Sequence, residues 1–137
     1  MKTILVSACL LLPLTAMSQP LVSYQDIHSA TLSKGKPLHI TMDFNQCTPN
    51  FNMRAYLRPN AIIATDSFIA FSDDHLTTHH PKFPNQLVRE HVSYKLTDDG
   101  TVSISVEIIN PTDNKMMANT HTLTCQLNNG FNFYTND

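Results

Sequence analysis

The chain has 137 residues, with 9 Lys and Arg against 11 Asp and Glu, a net charge of −2 at pH 7 and 42% hydrophobic residues. So scattered and mildly acidic a charge provides no basic stripe for nucleic acid or an anionic membrane surface. Ordinary hydrophobicity without a low-complexity tract excludes a disordered chain and predicts a single domain with one modest core.

Met1-Lys2 is a short positive start, Ile4 to Leu14 is an almost unbroken apolar run, and Ala16 and Ser18 are the small residues a signal peptidase cuts behind. The sequence therefore predicts an export signal over 1–18 and one domain over 19–137, destined for the periplasm or the exterior. The apolar run is shorter than the roughly 20 residues a spanning helix needs, and no later window exceeds it, so no membrane span is expected. Too little apolar sequence precedes Cys9 for a lipoprotein signal. Cys47 and Cys125 remain, and an even pair in an exported chain reads as a disulfide.

Ser23 can cap a helix, with Asp26 at its third position completing a variant capping box and Val22 and Ile27 at the staple positions. Gly35 is a natural left-handed stop, so the helix is expected from Tyr24 to Lys34. From Pro37 the period changes to two. Leu38, Ile40, Met42 and Phe44 alternate with His39, Thr41, Asp43 and Asn45, the pattern of a strand with one wet face. Asn52 to Tyr56, Ala61 to Thr65 and Ser67 to Phe71 read as shorter strands, and Ser72 to Pro84 as mostly loop. Phe68 and Phe71 then fall on opposite faces.

The C-terminal part alternates most clearly. Val88, Val92, Tyr94 and Leu96 face one way, Asp98-Asp99-Gly100 turns the chain, and Val102, Ile104, Val106 and Ile108 follow. After a turn at Pro111 to Asn114, His121, Leu123, Cys125 and Leu127 alternate. Asn129-Gly130 is read as the turn of a final hairpin in which Phe131 and Phe133 pack inward while Asn132 and Tyr134 point out along an edge strand. The expected fold is mainly β (α+β). It is a single antiparallel sheet, curled into a half-barrel or folded over as a sandwich, with one N-terminal helix and one disulfide.

This layout resembles the VirK family of small exported bacterial proteins. The resemblance rests on Tyr24 to Cys47, on Phe71-Ser72-Asp73-Asp74-His75-Leu76-Thr77, on Glu90 to Tyr94 followed by Asp99-Gly100-Thr101-Val102, and on Cys125 followed by Gly130-Phe131-Asn132-Phe133-Tyr134. It implies export and a link to virulence and host interaction. It implies no activity and no site residues.

The densest polar cluster is Asp73, Asp74, His75, His79 and His80. His75 and His79 would share a helix face, but Leu76-Thr77-Thr78 favours extended backbone and Pro81 turns His80 from helical angles. On a strand the two histidines are roughly 13 Å apart, too far for one ion held by bonds of about 2.0–2.1 Å. The segment is expected to be a solvated loop. Only by bending would it make metal ligands of Asp73, His75, His79 and His80.

A thiol–imidazole pair of Cys47 or Cys125 with His39, His91 or His121 needs a free thiolate, which a disulfide removes. The chain lacks a Gly-x-Ser-x-Gly elbow, and its three glycines make no phosphate loop. Glu90 and Glu107 read as solvent-facing strand charges. No catalytic residue, cofactor or resident metal is assigned. The sequence favours a non-enzymatic exported protein that binds another protein or a surface component, with the last strand's edge as its binding surface. The alternatives are a metal-dependent enzyme using Asp73 to His80, and a small-ligand carrier with a pocket inside a curved sheet.

Overall fold

The computed structural model of the protein describes residues 18–136. Apart from Ser18, the expected export signal lies outside the described residues. The strands are β1 (Ser18–Leu21), β2 (Leu38–Asp43), β3 (Arg54–Leu57), β4 (Ile62–Ala64), β5 (Phe68–Thr77), β6 (Val88–Thr97), β7 (Thr101–Ile109), β8 (His121–Leu127) and β9 (Gly130–Asn136). They form one sheet in the order β3-β2-β9-β8-β7-β6-β5-β4, with β1 also paired to β9. The sheet curls into a half-barrel, which decides between the two architectures the pattern left open. Its end strands, β3 and β4, are neighbours in sequence. The 57–62 connection therefore keeps their nearer ends within roughly 18 Å, since each residue spans at most about 3.6 Å.

The helix joins the core through Tyr24, Ile27 and Ala30. Helix α1 (Tyr24–His28) starts at the expected capping box, in which Ser23 accepts from the Asp26 amide and Asp26 accepts from the Ser23 amide. It continues as a π-helical turn over Ser29–Ser33, then stops at Gly35 with φ +59°. Ile27 is fully buried, but Val22 is exposed and makes no staple, because Leu21 at the end of β1 takes the buried place. The Tyr24 hydroxyl donates to the Thr65 carbonyl at 2.6 Å and ties the helix to the turn after β4.

β5 to β8 form the expected antiparallel meander, with Val88, Val92, Tyr94, Leu96, Val102, Ile104, Ile108, Leu123 and Cys125 buried on one face. The loop expected over Ser72 to Pro84 is corrected in its first half. β5 runs on to Thr77, paired with β6 as far as Thr77↔Val88. Polar residues belong there because they pair across the ladder, Asp74 opposite His91 and His75 opposite Glu90.

The last strand corrects the edge reading. β9 is interior, flanked by β2 and β1 in antiparallel sense, and it meets β8 through two residue pairs in parallel sense. No simple hairpin forms. Asn128 at φ 65° and Gly130 at φ 91° carry the chain through a compact double turn that sends β9 onto β2. A Cβ on Gly130 would lie 3.0 Å from Gln46 Cβ and 3.1 Å from Cys47 Sγ, so the close approach demands glycine.

The disulfide sits at this seam. Cys47, just past β2, is joined to Cys125 of β8 with the Cα atoms 4.4 Å apart. Beside it Thr48 and Thr124 exchange two backbone hydrogen bonds of 2.8 Å. The two halves of the sheet, β1/β2/β3/β9 and β4 to β8, are thus locked where direct strand pairing is shortest. Beneath the seam Phe71, Tyr94, Phe131 and Phe133 pack at centroid distances of 4.9–6.5 Å, Phe71 stacked on Tyr94 and edge-on to Phe133, and all four are buried.

Candidate functional site

The outer face of the meander carries a groove of about 650 Å³. Its floor follows from strand parity and register. Many residues that alternate away from the core are small, and Ser72, Ser93, Ser105 and Thr122 stand in one row across the four strands. Ala70, Lys95, Ser103 and Thr124 stand in the next. Short side chains leave the sheet backbone close to solvent, and the larger ones around them make the walls.

At one end His91 lines the groove, with charged residues just outside it. Asp74, His91 and Glu107 lie in register on β5, β6 and β7. The Asp74 carboxylate lies 3.2 Å from His91 Nδ1 and 3.9 Å from Arg89 Nε. At the other end the Lys95 ammonium lies 4.9 Å from the centroid of the Phe68 ring, while exposed Ile63 of β4 makes an apolar lip. Phe68 on this outer face and Phe71 in the core bear out the split expected of the pair. The floor offers hydroxyls that both donate and accept, without a buried charge.

The metal candidates do not converge. Asp73 and His75 lie on the inward parity of β5, opposite Val92 and Glu90. His75 Nδ1 is 2.9 Å from Asp73 Oδ2, and its Nε2 is 3.7 Å from Glu90 Oε2 on β6. His79 and His80 lie beyond the strand, where their Nδ1 atoms make turn contacts with the Thr78 hydroxyl and the Lys82 amide. Among the described residues no group of three or more His, Cys, Asp or Glu is arranged around one ion.

Glu90, read from sequence as solvent-facing, is turned toward the inner side. Together with Asp73 it acts on Tyr94, whose phenol burial pushes well above its ordinary value, the two carboxylates adding to the effect. Of the histidines weighed with the cysteines, His91 lines the outer groove, His121 Nε2 meets the Lys82 ammonium at 2.7 Å, and His39 is on β2 in the other half of the sheet. Joining of Cys47 and Cys125 leaves neither sulfur free as a nucleophile. The hydroxyl floor was missed by the sequence reading. Its signal is the recurrence of Ser and Thr at the polar positions of three successive strands.

No helix among the described residues is long and apolar enough to cross a membrane. The fold is that of a small half-barrel closed at one seam, and the comparisons give it a family. The VirK protein family model matches residues 20–114, and the chain belongs to the VirK family. A crystal structure of lpg1832, a VirK family protein from Legionella pneumophila, superposes with a TM-score of 0.78 at 24% identity, covering 84% of this chain and 98% of that one. The uncharacterized protein y4wH of Sinorhizobium fredii is 22% identical over 125 residues, 86% of this chain and 83% of its own length.

Proposed function

We propose that the protein is an exported, non-enzymatic binding protein that docks another protein or a surface component on the outer face of β5 to β8. The observation that carries this reading is the 650 Å³ groove with its floor of small hydroxyl residues. A partner's backbone or polar groups can approach such a floor closely and find donors and acceptors over its width. The apolar signal region supports the exported part of the reading. The carrier alternative loses ground because the inner side of the sheet is filled by the stacked aromatic residues.

The test is capture of partners by the tagged protein from the exported fraction of its own cells, beside Ser103→Trp and Thr122→Trp. Both positions are exposed on the floor, so these variants should fold and melt like the parent. Loss of the captured species with both, and retention with a substitution on the opposite half of the sheet, is the expected result. Capture that survives both bulky residues would remove the groove from the proposal.

The metal-dependent alternative rests on one contact, His75 between Asp73 and Glu90. Metal content measured on the same purified sample separates the two readings.

A further inference from the structure

A second groove, of about 360 Å³, lies on the outer face of the other half of the sheet. We infer that it is a binding site for a small organic carboxylate, with Arg58 as the anchoring residue, His39 and Tyr56 positioning it, and Tyr134 as a wall. The site is distinct from the meander groove and does not depend on it.

The argument begins at His39, which parity places on the wet face of β2. It is nevertheless only 9% exposed. Its neighbours cover it: Tyr134 of β9 is directly opposite in register, and the Tyr56 ring of β3 is 6.2 Å away between centroids. A polar ring so buried needs partners. Its Nδ1 has two, the Tyr56 hydroxyl at 2.7 Å and Arg58 Nε at 3.1 Å. Arginine only donates, so Nδ1 is the acceptor and the ring proton sits on Nε2.

Arg58 Nε also donates to the Tyr56 oxygen at 2.6 Å, and the guanidinium carbon is 5.8 Å from the centre of the Tyr56 ring. The inner nitrogen of the guanidinium is thereby fixed, although Arg58 follows a strand end. Among the described residues its two terminal nitrogens have no carboxylate partner, and no Asp or Glu lines the groove. Besides Arg58 and His39 it is lined by hydroxyl and amide side chains that can donate, Thr41, Tyr134 and Asn136 among them.

An arginine held by Nε and left open at its terminal nitrogens presents two parallel N–H groups, the spacing of a carboxylate's two oxygens. One fixed positive charge balances one negative charge. A phosphate fits the same two N–H groups and is the competitor to test. The Tyr56 and Tyr134 rings suit a planar or apolar body behind the carboxylate. The volume lies at the lower end of the range for ligand pockets, as a small acid requires.

The experiment titrates the full exported protein with sodium benzoate, following side-chain and backbone NMR signals, with benzyl alcohol and inorganic phosphate in parallel. Saturable shifts centred on Arg58, His39 and Tyr134 are expected with benzoate, and none with benzyl alcohol. Arg58→Lys keeps the charge but loses the fork, and should weaken benzoate by about tenfold or more. Arg58→Gln should abolish the response, and a thermal melt confirms that it folds. Lys115→Gln, an exposed change of the same charge outside both grooves, should retain binding, which separates loss of the site from loss of net charge. Absence of a saturable response, an equal response to benzyl alcohol, or full affinity in Arg58→Gln would overturn the site. Phosphate binding more tightly than benzoate would overturn the choice of carboxylate.

Discussion

Removing the disulfide is the sharpest perturbation available, because the structure makes Cys47–Cys125 the clamp on a weak seam. The bond closes a separation of 78 residues. In the loop-entropy description such a closure stabilises the folded state by roughly 4.5 kcal/mol at 25 °C, and native disulfides in small domains give about 2–5. The upper part of that range is expected here. Without the bond, the two halves of the sheet are held at this corner by the Thr48–Thr124 bridge and the two parallel pairs of β8 and β9. The double variant Cys47→Ala/Cys125→Ala, unfolded in urea beside the oxidised parent, should lose about 3–4.5 kcal/mol. Its slope against urea should rise, since the uncrosslinked unfolded chain exposes more surface. Hydrogen exchange should quicken first at the Thr48 and Thr124 amides, ahead of the β6–β7 centre. A double variant within about 0.5 kcal/mol of the parent, with exchange at those amides unchanged, would refute the clamp.

Four further outcomes follow from the same packing. Phe131→Ala, at a fully buried position in the aromatic stack, should cost about 3–5 kcal/mol in urea unfolding. Gly130→Ala should cost about 1–3 kcal/mol from its backbone angle of +91° alone, and more if Gln46 cannot yield; a melt unchanged from the parent would mean that the double turn is misplaced. Tyr94 has its folded phenol raised above the unfolded value, so its contribution is complete below pH 10 and fades as the pH climbs past it. Tyr94→Phe should therefore flatten the alkaline limb of the stability curve. His75→Ala/His79→Ala removes only exposed contacts and should shift stability by no more than about 1 kcal/mol, whereas zinc held through dialysis and lost in that variant would revive the metal reading.

Elements whose information is local were legible from sequence. Ser23 and Asp26 make the capping box, Gly35 stops the helix, and the period of two placed the buried residues of β6 and β7 on one face. The cysteine pair was legible because only one pairing remained. Errors arose where a partner strand decided the outcome. Ser72 to Thr77 looks like loop because its polarity is unexplained until β6 supplies His91 and Glu90 opposite it. The final strand looks like a hairpin edge because Asn129-Gly130 is a strong local turn signal. The true partners, β1 and β2, are about a hundred positions away in sequence.

The same distinction explains why neither groove was found from sequence. Alternation tells which residues face outward, but not which outward residues meet. The hydroxyl floor exists only once four strands are set in register, when Ser72, Ser93, Ser105 and Thr122 become one row. His39 illustrates the limit more severely. Its position in the pattern says solvent, and that is correct for the face and wrong for the environment, because Tyr56 and Tyr134 arrive from strands on either side of β2. A polar residue that parity turns outward and tertiary packing then covers must find hydrogen-bond partners or destabilise the fold. The partners it found, a phenol and a guanidinium, leave a fixed charge facing a groove without a counter-charge among the described residues. Structural stability alone would be served by a Thr or Val at position 39, both common on strand faces. His39→Thr therefore separates the two roles: it should leave the melting midpoint near that of the parent, free the Arg58 side chain to move, and weaken benzoate. A variant that loses stability by several kcal/mol and keeps its benzoate affinity would make the cluster structural.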